Sequence, residues 1–180
     1  MCLIGIYKLK YHFKMTRQEE NKKIVSDFIA ELAEKHNPNA LDIYCSDDYK
    51  HHFNISDIAP NRDGIKRLSQ LILSTFPDTS VMIDLLIAEG DLVIERASVT
   101  ATHSGFYNDI QPTGKTYQWQ ETHIYRLKNG KIVEHFPEVR LEKLLWQISG
   151  KGDGFVAPKK SALSSFIALM MRGLAKLYKN

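Results

Sequence analysis

The alternation of apolar and polar positions changes period along the chain. From Glu19 to His36 the apolar residues Ile24, Val25, Phe28, Ile29, Leu32 and Ala33 recur three and four apart, with charges between them. That spacing predicts an amphipathic helix of about five turns. Thr16-x-x-Glu19 ahead of it reads as a capping box, and Asn37-Pro38 stops it. Leu41–Tyr44 reads as a short second helix and Tyr49–Phe53 as a short strand. Asn61 or Asp63 then caps a helix that turns Ile65, Leu68, Leu71 and Ile72 inward and ends before Phe76-Pro77-Asp78.

From residue 80 the period falls to two. Ser80–Ala88, Leu92–His103, Trp119–Leu127 and Lys131–Phe136 are rich in β-branched and aromatic residues. The breakers between them are Glu89-Gly90-Asp91, Ser104-Gly105, Pro112-Thr113-Gly114 and Asn129-Gly130. Asn-Gly between two apolar runs signals a hairpin, because both central residues of a type I′ turn need φ > 0. The last two runs therefore pair antiparallel, with 92–103 as their neighbour. The 81–87 run is nearly all apolar apart from Asp84, so periodicity leaves its buried face open. Leu141–Ile148 reads as a short helix. Helices first and a strand meander afterwards give an α+β fold, with helices packed on one side of a curved antiparallel sheet.

Composition narrows the setting. A chain of 180 residues is expected to form one main domain. The net charge of +3 comes from the ends: residues 1–14 and 151–180 are both basic, and 15–150 is acidic. The domain itself therefore carries no nucleic-acid signature. Cys2 and Cys45 make no disulfide framework and no zinc spacing. No apolar run reaches the ~20 residues of a membrane span, and the lysines at the start follow the apolar stretch, unlike a signal peptide. A cytoplasmic location is expected. Residues 1–14 read as a dispensable extension ahead of a plausible start at Met15, 15–150 as the domain, and 151–180 as a linker with an amphipathic basic helix. That helix is expected to dock on its own domain or on a second subunit, with contact to a membrane surface as the weaker reading.

Five short motifs follow one another at compatible spacing: Ala88-Glu89-Gly90-Asp91, Thr102-His103-Ser104-Gly105-Phe106, Gln111-Pro112-Thr113-Gly114-Lys115, Asn129–Phe136 and Leu144-Leu145-Trp146-Gln147-Ile148. Together they give residues 17–149 a resemblance to the SnoaL-like polyketide cyclases, also called ester cyclases, of the nuclear transport factor 2-like superfamily. The resemblance implies a cone-shaped α+β barrel with an apolar pocket and helices at its open end. It also implies ring closure by intramolecular aldol condensation without metal or organic cofactor; a small apolar ligand and a homodimer are the expected partners. In that family an Asp six residues after the Glu of the G-K-I-x-E motif handles the proton. Here the matching position is Arg140.

The residues offer replacements. Period two along 117–125 puts Tyr117, Trp119, Glu121, His123 and Tyr125 on one face, opposite Gln118, Gln120, Thr122, Ile124 and Arg126. The aromatic face is the inward one. On the last strand Glu134, Phe136, Glu138 and Arg140 share parity, with Pro137 as a place for a bulge. His123 or Glu138 is then the expected base, and Arg140 would orient an anionic or carbonyl oxygen. His52, His103, Trp119, Glu121 and Phe136 are the expected substrate-binding residues. The same charges also fit a structural ion pair at the mouth of the cone. His51-His52 has no metal-ligand spacing, and no metal site is expected. Three functions remain open: a cyclase-like enzyme using acid/base chemistry, a binding module for a hydrophobic metabolite, and a scaffold whose cone is filled and whose surface mediates association.

Overall fold

The computed structural model describes residues 15–52, 58–107, 110–139 and the three positions 144, 147 and 148. Residues 1–14, Arg140 and the segment 151–180 lie outside the described residues. No helix among the described residues is long and apolar enough to cross a membrane.

The first helix, α1 (Arg17–Ile29), starts on the expected capping box. Thr16 Oγ1 accepts from the Glu19 amide, and Glu19 returns the bond to the Thr16 amide at 2.7 Å. It runs into a wider π-helical turn, Ala30–Glu34, and ends in Lys35 and a left-handed His36. A short α2 (Ala40–Tyr44) leads directly into β1 (Cys45–His51), longer at its start than the sequence suggested. Next comes α3 (Arg62–Thr75), whose N-cap Asn61 accepts from the Gly64 amide. It lies on β1 through Ile65 and Leu68; Leu71 and Ile72, expected inside, are exposed.

The strands β2 (Ser80–Glu89), β3 (Leu92–Thr102), β4 (Thr116–Lys128) and β5 (Lys131–Val139) form the predicted meander. Asn129 and Gly130 make the β4–β5 turn with φ of 52° and 74°, as the dipeptide required. The sheet order is β1-β5-β4-β3-β2. The sheet is curved and open rather than closed into a barrel, and β1 joins β5 parallel, so it is mixed rather than wholly antiparallel.

Two bulges decide which side chains face the helices. In β2 the register against β3 slips at Asp84. Val81 and Ile83 point to the core before it, and Leu86 and Ala88 after it, which resolves the face that periodicity left open. In β5 Leu127 pairs with Ile132 but Arg126 pairs with Glu134, leaving Val133 as the extra residue. An extra residue reverses the parity beyond it. Ile132 is inward, and past the bulge it is His135 and Pro137 that follow it inward, not Glu134 and Phe136.

The core has two clusters on the inner face. One joins Val25, Phe28 and Ile29 of α1 to Leu41, Tyr49, Val93, Tyr125, Leu127 and Ile132. The other joins Phe76, Val99, Ala101 and Trp119 to Leu144 and Ile148, the buried positions described from the expected helix over 141–148. Gly105 of the second motif closes the loop beneath this cluster. Its amide donates to Thr75 O at 2.9 Å, and a Cβ there would lie 2.2 Å from Ser74 O.

Candidate active site

The inner row of β4 runs Tyr117, Trp119, Glu121, His123, Tyr125, Leu127, because alternate residues of a strand share a face. Within it Trp119 Nε1 donates to Glu121 Oε1 at 2.6 Å, and His123 Nε2 donates to Glu121 Oε2 at 3.0 Å. The Glu121 and His123 side chains keep 22% and 12% of their exposure. Burial pushes the Glu121 carboxyl up, but the bond and charge of His123, with the Trp119 bond, outweigh it and leave it below its ordinary value. Burial likewise pushes His123 down, but the bond and charge of Glu121, with the charge of Glu95, carry it above its ordinary value. Each group thus favours the charged form of the other away from water.

A row of polar side chains continues across the sheet from this pair. His123 Nδ1 meets His135 Nε2 at 2.9 Å. His135 Nδ1 meets Tyr49 Oη at 3.2 Å, and that hydroxyl meets His51 Nδ1 at 3.3 Å. The register builds the row: His51 pairs with His135 between β1 and β5, and His135 pairs with Tyr125 on β4, one inner position from His123. The Tyr125 ring stacks on His135 with centroids 4.6 Å apart and planes 9° apart. Burial and the neighbouring charge of His123 hold His135 well below its ordinary value and bring His51 down to about 4. Both imidazoles are therefore neutral near pH 7.

One more acid lies behind the row. Glu95 of β3 is 2% exposed and accepts a 3.0 Å bond from the Tyr125 hydroxyl. Burial pushes its carboxyl up.

Of the residues expected from the sequence, Trp119, Glu121 and His123 come together on the inner face. Phe136 and Glu138 do not join them, because the Val133 bulge turns the even positions of β5 outward, and His52 does not, because it follows the inward His51. Phe136 stacks on His52 at 4.0 Å, His52 pairs with Glu134 at 3.2 Å, and Glu138 is exposed opposite Thr122. Glu138 borders a groove of about 980 Å³ on that outer face, with Ser80, Met82, Arg96, Ser98 and Gln120. His103 is fully buried in the second cluster, where it meets Thr113 and Phe76 rather than the Glu121–His123 pair. Arg140, expected to orient an oxygen, lies outside the described residues. Reading the sequence passed over Glu95, His135, Tyr49 and His51 as site residues. Glu95 was detectable as the one acid in the row Val93, Ala97, Val99, Ala101; His135 was not, since the bulge hides its parity.

The model of the SnoaL-like polyketide cyclases matches residues 23–147. The chain belongs to the SnoaL-like polyketide cyclase family. Solved structures of similar fold include AclR from Streptomyces galilaeus, a proposed hydroxylase. It is 23% identical, with a TM-score of 0.66 over 91% of this chain and 99% of that one. A proposed polyketide cyclase from Acidithiobacillus ferrooxidans is 22% identical, with a TM-score of 0.67 over 77% and 100%. IdmH from Streptomyces antibioticus, also a proposed polyketide cyclase, is 26% identical, with a TM-score of 0.59 over 69% and 97%. No curated protein sequence matches the chain.

Proposed function

We propose that this SnoaL-like protein carries out cofactor-free acid/base chemistry of the aldol type on a small apolar carbonyl or ester compound. Glu121 and His123 handle the proton. The observation that supports this reading is the carboxylate–imidazole contact of 3.0 Å, set among Trp119 and Tyr125 and partly open at Glu121. A base in such surroundings removes a proton from the carbon beside a carbonyl, and the C–H electron pair becomes an enolate. The enolate carbon then bonds to a second carbonyl carbon of the same molecule. Its oxygen becomes an alkoxide and takes the proton back, so the pair is regenerated and no electrons enter or leave.

The test compares Glu121→Gln and His123→Gln with the unaltered protein on a polyketide ester that carries an acidic methylene. Each substitution should lower turnover by about 10²–10⁴-fold, the usual loss for a general acid or base. A change confined to affinity, of the ~0.5–1.5 kcal/mol that one hydrogen bond contributes, would overturn it in favour of a binding module.

A further inference from the structure

The row that leads away from Glu121–His123 crosses three neighbouring strands, β4, β5 and β1, and every link in it joins atoms that can both give and take a proton. We propose that His135, Tyr49 and His51 form a proton relay through which His123 exchanges its Nδ1 proton at the β1 edge of the sheet. This deepens the reading of Glu121 and His123 as the acid/base pair and rests on it.

The hydrogen-bond inventory allows two arrangements that differ by one proton. With His123 neutral and its Nε2–H on Glu121, Nδ1 accepts from His135 Nε2–H. His135 Nδ1 then accepts from the Tyr49 hydroxyl, which accepts from His51 Nδ1–H. Adding a proton at His51 Nε2 reverses all three bonds. His51 gives its Nδ1 proton to Tyr49, Tyr49 gives its own to His135 Nδ1, and His135 gives its Nε2 proton to His123 Nδ1. Three bonds to hydrogen break and three form inside the row, one proton has entered at His51, and one has appeared on His123. Each inner group ends as neutral as it began. Burial pushes the Tyr49 hydroxyl up, so it passes a proton by accepting one as it donates another and does not ionise.

The placement fits that role. Both ring nitrogens of His123 are taken by Glu121 and His135, and both of His135 by His123 and Tyr49. Tyr125 closes one side of the row by stacking on His135. His51 ends β1, an edge strand, and keeps 8% of its exposure. Among the described residues, the charged or titratable groups facing His123 are Glu121 and Tyr125 on its own strand, Glu95 on β3, His135 on β5, and His51 and His52 from β1 and its end. A purely structural use of the row would need each bond and no particular order of donors. The relay needs an unbroken order, which the three contacts of 2.9, 3.2 and 3.3 Å allow in either direction.

The relay is tested without reference to turnover, by ¹⁵N NMR of the His123 ring in the full chain. In Tyr49→Phe the ring stays and the bridge is lost. In His51→Asn the amide oxygen still accepts from Tyr49 but no proton can pass on. Exchange of the His123 Nδ1 proton with solvent should slow by at least about tenfold in both, the factor that one broken link of 1.4 kcal/mol would give. His51→Gln, which loses the Tyr49 contact geometry as well, serves if Tyr49→Phe fails to fold. Exchange that stays as fast in the folded variants as in the unaltered protein would overturn the relay, and would mean that His123 exchanges through the Glu121 side. In the enzyme assay the relay variants should shift the pH profile while Glu121→Gln lowers turnover by about 10²–10⁴-fold. If Glu121→Gln leaves turnover intact while His123 exchange still slows, the proposed reaction fails and the relay stands.

Discussion

The two faces of the sheet are built from alternate residues of the same strands, yet their charges live under different rules. On the outer face Arg126 reaches Asp91 at 2.9 Å and Glu134 at 3.8 Å, with all three groups about a third or more exposed. Ser98 donates to Asp84 and Arg96 to Gln120 beside a water-accessible groove. Apolar side chains such as Met82, 64% exposed, stand among them. On the inner face Glu121, His123, His135, Tyr49 and His51 satisfy one another in a continuous row, with little water to help. Solvent weakens the first kind of pair and leaves the second at full strength. What separates a surface ion pair from a candidate catalytic pair here is one step in strand parity.

The sharpest way to break that contrast is to remove one member of the inner pair. His123→Ala leaves the Glu121 carboxylate buried beside Trp119 with its main partner gone. Urea unfolding should show a loss of about 3–5 kcal/mol, as for other broken buried pairs. Pairing it with Glu121→Gln should recover part of that loss, because the stranded charge is then absent.

The pH dependence should follow the inner histidines. His51 is held at about 4 in the folded chain against about 6.5 when unfolded. The unfolded chain therefore binds the extra proton between those values, and stability falls as pH drops from 6.5 toward 4. At roughly 1.4 kcal/mol per unit, His51 contributes on the order of 3 kcal/mol to that fall, and His135 adds to it in the same direction. His123 works the opposite way: its raised value gives stability that is full below pH 6.5 and lost as pH rises through the folded value. Thermal melts across pH 4–8 should show the acid slope, and His51→Asn should flatten it. An unchanged slope would mean that the inner row is wetter than its geometry implies.

The smallest effect belongs outside. Arg126→Gln removes both outer ion pairs and should leave urea unfolding almost unchanged, any loss shrinking further in high salt. A loss comparable with that of His123→Ala would erase the distinction between the faces.

Much of this architecture was legible in the order of residues. The capping box at Thr16, the stop at Asn37-Pro38, the Asn129-Gly130 hairpin and the alternation along 117–125 act through neighbours a few positions apart, so the chain carries them locally. The same alternation put Trp119, Glu121 and His123 on one inward face. Only the tertiary structure decided the rest of the site. Strand β1 lies parallel to β5 from far away in sequence, which brings Tyr49 and His51 to His135. The bulge at Val133 reverses the face of the rest of β5, exchanging Glu138 and Phe136 for His135 and Pro137. Parity is a local property, but where a strand gains an extra residue is set by pairing with its neighbours. One unpaired valine therefore settles which side chains can meet Glu121 and His123.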